Sequence, residues 1–248
     1  MNKGNVHLIM PMGGAGSRFY KNGYELPKPL IKIQGKPFFY WATQSIVKFI
    51  DIDLLIFVVL QDHVDRFQID KEIHSFYPDA IIEIIPDILN GPVLTASQGI
   101  KNITDHKPFI INDCDHMFQC NSFYDFCNKG DFKNTGGAIL SFQSEDPKFS
   151  FLKVNSENEV IGTAEKQVIS NQAICGVYLF ESKETFIEIS NHYFSNCTYP
   201  EYFVSGLYNV LIEINKRVIY FTVDFHIPFG TPEEYETAVE STLFKGLE

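Results

Sequence analysis

The chain has 248 residues, enough for one large α/β domain with a substantial core, and we expect a single domain over residues 1–248. Its content of 45% hydrophobic and 21% charged residues is typical of a folded protein and argues against a disordered chain. The formal net charge of −11 argues against binding to nucleic acids or to anionic membranes, because both carry negative charge. We therefore expect neither partner.

Five cysteines occur without a CxxC pair. This odd count indicates reduced thiols rather than a disulfide framework or a zinc site. The start MNKGNVHLIM leads into a strand without the apolar core of a signal peptide, and no apolar run reaches the length of a membrane span. We expect a cytoplasmic protein.

In the first half of the chain, short apolar runs alternate with helical stretches. Continuous apolar runs predict four buried strands, at Val6–Met12, Leu54–Leu60, Ala80–Ile85 and Phe109–Asn112. Apolar residues at helical spacing predict three helices, over Pro37–Ile50, Asp62–Tyr77 and Pro92–Lys101. This order predicts a mostly parallel sheet with helices on both faces.

After Asn121 the pattern loosens and indicates an antiparallel portion. The strands predicted there are Gly136–Gln143, Phe151–Val154, Val160–Thr163 and Ala173–Phe180. The remaining predicted elements are two helices, a strand and a last helix, at Lys183–Phe194, Glu201–Asn215, Arg217–Val223 and Pro232–Phe244.

A glycine-rich loop, GGAGSR at residues 13–18, follows the first strand directly. A dinucleotide fingerprint would need a third glycine where Phe19 stands, and a P-loop would need a lysine that this loop lacks. The loop amides can instead form a nest for phosphate oxygens, to which Arg18 adds a charge-assisted contact. A plain glycine turn beside a solvated arginine stays open on the loop alone. The predicted nucleotide-binding residues here are Met12, Gly13, Gly14, Ala15, Gly16 and Ser17.

The stretch PKPL places Lys28 between Pro27 and Pro29. Proline restricts the residue before it to extended backbone, so we expect an extended chain around Lys28. A solvated surface lysine gains nothing from such rigidity, whereas a lysine that holds one phosphate group does. We therefore expect Lys28 to bind a phosphate.

Further motifs follow the glycine loop and PKPL in order. They are EKQ at residues 165–167, ISNQAICGVYLF at 169–180, EYFVSGLYNVLI at 201–212 and GTPEEY at 230–235. With these motifs the chain resembles the sugar-phosphate nucleotidylyltransferases over most of its length. The resemblance implies a Rossmann-like α/β/α sandwich with a mostly parallel mixed sheet, of the nucleotide-diphospho-sugar transferase type.

The resemblance also implies a reaction, in which a nucleoside monophosphate passes from a nucleoside triphosphate to a phosphorylated small-molecule acceptor and pyrophosphate leaves. CTP is the favoured triphosphate, although the residue types do not separate it from UTP or dTTP. A sugar 1-phosphate acceptor, a binding protein without turnover and a homo-oligomer remain open. No general base is needed, because a phosphate dianion is already a nucleophile near neutral pH.

The resemblance assigns roles to three cations. Arg18 stabilises the departing pyrophosphate, Lys28 the α-phosphate or incoming oxygen, and Lys166 the acceptor phosphate. Glu165 is expected to orient Lys166.

Two aspartates follow a buried strand in NDCDHMF, residues 112–118. They stand where a parallel sheet binds ligands, and their hard oxygens suit Mg²⁺. The resemblance matches Asp115 to the metal ligand, with Asp113 as a possible substitute, while a loop or helix cap remains the alternative. The family's second metal aspartate falls on Pro228, which cannot coordinate, so a two-carboxylate site is in doubt. A histidine beside the pair, His116, is expected to be structural.

The stretch PDILNGPVLTASQGI, residues 86–100, resembles the family segment near the nucleobase. Backbone groups of Asn90 and Gly91 are expected to read a base edge. A plain helix N-terminus at the Gly-Pro turn is an equally open interpretation.

Overall fold

The computed structural model of the protein describes residues 5–130, 132–157 and 159–247. Residues 1–4 and positions 131, 158 and 248 lie outside the described residues. The predictions of a domain over residues 1–248 and of a start without a signal peptide therefore fall partly on residues that are not described. A nine-stranded mixed sheet with helices on both faces forms the described part. This arrangement confirms the predicted fold class.

The strands take their bounds as follows: β1 Val6–Met12, β2 Lys32–Ile33, β3 Lys36–Pro37, β4 Ile52–Leu60, β5 Ile81–Ile85, β6 Phe109–Asn112, β7 His116–Gln119, β8 Gly137–Gln143, β9 Phe151–Val154, β10 Val160–Ala164, β11 Gln172–Phe180, β12 Val218–Thr222 and β13 Phe225–Pro228. The helices are α1 Ser17–Lys21, α2 Phe38–Val47, α3 Gln61–Phe67, α4 Ile69–Phe76, α5 Pro92–Ile100, α6 Asn121–Lys129, α7 Lys183–Asn196, α8 Val204–Glu213 and α9 Pro232–Val239. Two short 3-10 helices lie at Lys28–Leu30 and Leu243–Gly246.

The sheet has a parallel half and an antiparallel half. Strands β5, β4, β1 and β6 are neighbours in that order and run parallel. Strand β11 pairs antiparallel with β6, and the sheet forks there toward β8–β12 on one branch and β9–β10 on the other. The carboxyl ends of β1 and β6, where ligands bind in such folds, therefore face the fork in β11.

Successive side chains along a strand point to opposite faces of the sheet, and each face packs against its own hydrophobic core. In β1, Leu8 and Met10 point to the core under α2, α4 and α6, while Ile9 points to the core under α5, α7 and α8. All three side chains are fully buried. Burial on both faces explains why the strands of the parallel half read as continuous apolar runs.

Several predicted bounds are wrong. The helix predicted over Asp62–Tyr77 is broken at Gln68, whose backbone is left-handed with φ of 53°. The helix predicted to begin at Glu201 begins at Val204, and the last one ends at Val239 rather than Phe244.

Two unpredicted short strands, β7 and β13, form a separate antiparallel pair. Its register places Pro228 opposite His116. This pair brings the GTPEEY segment against the turn that carries the two aspartates.

Candidate active site

One cleft of about 780 Å³ opens where β1 and β6 end and where β11 forks. All residues that the sequence singled out for binding or catalysis line it, namely Met12, Gly13, Gly14, Ala15, Gly16, Ser17, Arg18, Lys28, Asn90, Gly91, Asp113, Asp115, Glu165 and Lys166. Segments more than 150 residues apart in the chain thus meet in one place, as a binding site requires.

The glycine loop occupies the end of β1. Gly16 has φ of 58°, a left-handed conformation that suits glycine, and it begins the short helix α1. A Cβ on Gly13 would lie 2.6 Å from Ile85 Cδ1, so a larger residue here would require the Ile85 side chain to move. Arg18 stands exposed on α1 at the cleft. The loop geometry therefore favours glycine at two points.

The backbone around Lys28 differs from the prediction. Lys28 begins a 3-10 turn, in which the Leu30 amide donates to the Pro27 carbonyl at 2.8 Å, and the extended residues Pro27 and Ile31 flank the turn. The bias that Pro29 exerts on the residue before it is outweighed by this hydrogen bond and by burial of Leu30. The turn still directs the lysine side chain into the cleft.

Lys28 forms an ion pair with Asp115 inside the cleft. The Lys28 Nζ donates to Asp115 Oδ2 at 2.8 Å, and both side chains are about three-quarters buried. Burial lowers the pKa of Lys28, but the charge and hydrogen bond of Asp115, together with Cys114 and Asp113, outweigh it and raise the pKa above its ordinary value. Burial likewise raises the pKa of Asp115, but Lys28 lowers it below its ordinary value overall. Both groups therefore stay charged at neutral pH.

Asp113 carries the second carboxyl of the cleft. Its backbone amide donates to the Gly176 carbonyl at 3.0 Å, which fixes the turn between β6 and β7 against β11. Burial, together with the charge of Asp115, raises the pKa of Asp113 to about 7. The carboxyls of Asp113 and Asp115 thus lie close to each other and to the ammonium group of Lys28.

The carboxyls fit a divalent metal of the magnesium type. Hard oxygen donors from one or two aspartates, completed by phosphate and water, are the usual magnesium ligands in proteins. Glycines also leave room beside both groups, since a Cβ on Gly176 would meet Asp113 and a Cβ on Gly230 would meet Asp115. Pro228 lines the same cleft without a donor atom in its side chain.

Lys166 and Glu165 take different directions at the far end of the cleft. Lys166 is exposed, has a left-handed backbone with φ of 51°, and places Nζ 4.8 Å from the centre of the Phe203 ring. The Glu165 Oε2 instead accepts hydrogen bonds from Ser150 and, at 3.0 Å, from Ser205. The Glu165 carboxylate thus joins the β8–β9 connection to helix α8, and its orienting role toward Lys166 stays a prediction.

Two of the backbone groups expected to read a base edge form hydrogen bonds within the protein. The Asn90 carbonyl accepts from the Tyr202 amide at 3.2 Å, and the Gly91 amide donates to the Leu89 carbonyl at 2.8 Å. A Cβ on Gly91 would lie 2.5 Å from the Tyr202 nitrogen, so glycine allows these two segments to touch. These bonds fix the α5 N-terminus against the α7–α8 connection, and the base-edge role of Asn90 and Gly91 stays a prediction.

Sequence reasoning missed a polar cluster at the mouth of the cleft. Lys148 Nζ lies 2.9 Å from Asp146 Oδ2 and 3.0 Å from Glu234 Oε1. Glu234 also accepts from the Gly230 and Thr231 amides as part of a capping box that begins α9. The motif GTPEEY predicts the capping box, because glutamate follows threonine by three residues. The ion pair of Glu234 with Lys148 cannot be predicted from this motif.

Residues 7–242 match the nucleotidyl transferase family, NTP_transferase. The match spans nearly the whole chain. The protein belongs to the nucleotidyl transferase family. This membership confirms the family resemblance that the ordered motifs indicated.

Individual relatives of the nucleotidyl transferase are more distant. A 2-C-methyl-D-erythritol 4-phosphate cytidylyltransferase from Clostridium perfringens is 34% identical over 82 residues, which are 33% of this chain and 34% of that protein. The chain thus matches about a third of the length of this relative.

Solved structures share the fold of the nucleotidyl transferase. A nucleoside-diphosphate-sugar pyrophosphorylase from Vibrio cholerae RC9 has a TM-score of 0.82 at 23% identity, over 94% of this chain and 100% of its own. An inositol-1-phosphate CTP transferase from T. maritima has a TM-score of 0.76 at 14% identity, over 97% and 98% of the two chains. At these identities the likeness establishes the fold. No helix among the described residues is long and apolar enough to cross a membrane.

Proposed function

We propose that the protein transfers a nucleoside monophosphate, CMP from CTP, to a phosphorylated small-molecule acceptor and releases pyrophosphate. The observation that carries this proposal is the meeting of a glycine loop, a buried Lys28–Asp115 pair and an exposed Lys166 in one cleft. Phosphoryl transfer depends mainly on positioning and on neutralising charge, and these groups supply both.

The reaction forms one phosphorus–oxygen bond and breaks another. An oxygen of the acceptor phosphate attacks the α-phosphorus, and the bond to the bridging oxygen of the β-phosphate breaks as pyrophosphate leaves in line. The loop amides and Arg18 hold the two departing phosphates. Lys28, kept cationic by Asp115, offsets the negative charge that gathers on the α-phosphate.

A magnesium ion held by Asp115 and Asp113 would supply further charge neutralisation between the phosphates. The two aspartates keep their carboxyls in place through the short turn between β6 and β7 and through the glycines beside them.

Lys166 holds the acceptor phosphate in this proposal. It is the lysine of the cleft that the described contacts leave without an acidic partner, since Lys28 pairs with Asp115 and Lys148 with Asp146 and Glu234. A phosphate dianion entering the cleft therefore meets a free ammonium group there.

The cleft is lined by further side chains of both charges, among them Lys148, Lys166, Glu165 and Glu201. A phosphorylated amino acid amide such as phosphoglutamine, which has an ammonium and a carboxylate of its own, matches this lining better than a neutral sugar ring. We propose this acceptor class, as used in capsule phosphoramidate biosynthesis, and a cytoplasmic location, since all five cysteines are free. A sugar 1-phosphate is the second candidate.

Pyrophosphate release in the presence of Mg²⁺ tests the proposal. CTP, UTP, dTTP, GTP and ATP are each paired with phosphoglutamine and with a set of sugar 1-phosphates. We expect release only with CTP and a phosphorylated amino acid amide. Release with another pair would establish the transferase and correct the substrates. Nucleotide binding by calorimetry without release from any pair would favour a binding protein that lost turnover.

A further inference from the structure

A cluster of nitrogen and sulfur side chains lies behind the two aspartates. His116 on β7, Cys175 on β11 and His226 on β13 each offer one donor atom, and the three atoms lie within 4.8 Å of one another. The residues come from three strands and are 50 or more positions apart in the chain. All three line the cleft.

Hydrogen bonds fix the orientation of the first histidine. The Asn112 Nδ2 donates to the Ala42 carbonyl at 3.0 Å, so the amide oxygen of Asn112 faces His116 as an acceptor. The His116 Nε2 lies 2.8 Å from that oxygen and therefore carries the proton. Its Nδ1 then presents a lone pair toward Cys175 Sγ at 3.5 Å. An amide that orients a histidine in this way is the usual second layer around a metal ligand.

The second histidine has no hydrogen-bond partner among the described residues. Both ring nitrogens of His226 are buried, and neither finds a donor or an acceptor. Its ring lies 4.3 Å from the centre of Phe142 and 5.5 Å from that of His116. Buried polar atoms without hydrogen-bond partners are rare and destabilise the folded protein. A ligand bound by these nitrogens would remove that destabilisation.

Contrary to the expectations of no zinc site and of a structural His116, we propose that His116, Cys175 and His226 form a three-ligand site for a divalent transition metal of the zinc type. Two imidazoles and a thiolate are ligands that zinc and cobalt prefer, whereas magnesium requires oxygen. A tetrahedral zinc ion separates a nitrogen ligand and a sulfur ligand by about 3.5 Å, which is the spacing of His116 Nδ1 and Cys175 Sγ. On binding, the Cys175 thiol releases its proton to solvent and the thiolate bonds to the metal.

Such a site would fix the strands that carry the catalytic cleft. His116 follows Asp115 directly, and Cys175 precedes Gly176, the glycine that packs against Asp113. His226 lies on the strand that leads to Gly230, which packs against Asp115. One ion joining the three would therefore hold both carboxyls in register, separately from any magnesium bound to their oxygens.

Cobalt titration tests the site without reference to activity. Full-length protein is freed of metal with a chelator and titrated with CoCl₂ in the presence of excess Mg²⁺. We expect one equivalent of Co²⁺ to produce the near-ultraviolet absorption of a thiolate–cobalt bond, which Zn²⁺ then removes. Absence of this absorption from the wild-type protein would overturn the proposal.

Variants assign the ligands. Cys175→Ser is expected to lose the absorption, while Cys197→Ser, which removes a partly exposed thiol elsewhere, keeps it. His226→Gln is expected to keep the fold, checked by circular dichroism, and to weaken Co²⁺ binding by more than about 100-fold, because loss of a direct ligand costs more than loss of an outer partner. Absorption unchanged in Cys175→Ser, or cobalt affinity unchanged in His226→Gln, would contradict the assignment. If Cys175→Ser does not fold, His226→Gln decides alone.

Discussion

The two ends of the cleft are built from different halves of the sheet and by different means. The end proposed to bind the nucleotide, called the nucleotide end, follows β1 in the parallel half and presents backbone amides, one exposed arginine and the Lys28–Asp115 pair. The end proposed to bind the acceptor, called the acceptor end, follows β10 and β11 in the antiparallel half and presents side chains of both charges.

Because the two ends are built differently, we expect one end to determine the rate of phosphoryl transfer and the other to determine which acceptor binds. Backbone amides and a fixed lysine suit a triphosphate, which is the same in every nucleotide. Side chains held by long-range contacts, such as Glu165 on Ser150 and Ser205, can differ between relatives without disturbing the reacting phosphates. Variants at the two ends are therefore expected to fail in different ways.

The largest effect is expected at the nucleotide end. Lys28→Met removes the cation beside the α-phosphate, and we expect kcat for pyrophosphate release to fall by about 10²- to 10³-fold. Lys21→Met, on the exposed end of α1, is the matched control and should stay within about twofold of wild type. A loss below about tenfold in a folded Lys28→Met protein would mean that the Lys28–Asp115 pair is structural.

A loss confined to the acceptor is expected from Lys166→Gln. The charge-assisted hydrogen bond to the acceptor phosphate disappears, so KM for the acceptor should rise by about 10- to 100-fold, while KM for the triphosphate changes by less than about twofold. Steady-state kinetics with each substrate varied in turn measures both constants. Lys153→Gln, exposed on β9, serves as the control. Equal rises in both KM values would remove the distinction between the two ends.

The pH dependence of stability should change in Asp113→Asn. Because the pKa of Asp113 is raised from 3.8 to about 7, the folded protein holds this proton more tightly than the unfolded chain. Its stabilising contribution is present below the unfolded pKa and is lost as the pH rises through about 7. The asparagine variant should therefore gain stability relative to wild type between about pH 5 and about pH 8.

Urea unfolding of both proteins in the presence of a chelator measures this difference. A difference in unfolding free energy that is the same at both pH values would show that Asp113 ionises normally in the folded protein.

The smallest effect is expected at Cys114, between the two aspartates. Burial raises the pKa of this thiol to about 12, so it stays protonated and does not act as a nucleophile. Cys114→Ala should keep kcat within about threefold of wild type, measured by the same pyrophosphate assay. Complete loss of turnover in a folded variant would require a covalent step at sulfur.

The parallel half of the sheet could be predicted because its strands are buried on both faces. Continuous apolar runs such as Phe109–Asn112 carry that information locally. Strands β7 and β13 could not be predicted, since their pairing joins positions more than 100 apart. The break at Gln68 had no signal either, because glutamine rarely adopts a left-handed backbone.

The candidate site also has parts that the sequence predicts and parts that it does not. The glycine loop, Lys28 and the two aspartates are local motifs with a chemistry of their own, and the structure brings them together. The hydrogen bonds of Glu165 and the unpartnered ring of His226 depend on residues from other elements. The spacing of residues along the chain does not predict such contacts.

Phosphorus NMR of the reaction mixture tests the central claim most directly. CTP, Mg²⁺ and phosphoglutamine are incubated with the protein, and the phosphorus-containing products are identified. We predict pyrophosphate together with a product in which the α-phosphorus of CMP is joined through oxygen to the acceptor phosphorus. Formation of CDP or of inorganic phosphate as the primary product would mean attack at another phosphorus and would contradict the assignment of Arg18, Lys28 and Lys166.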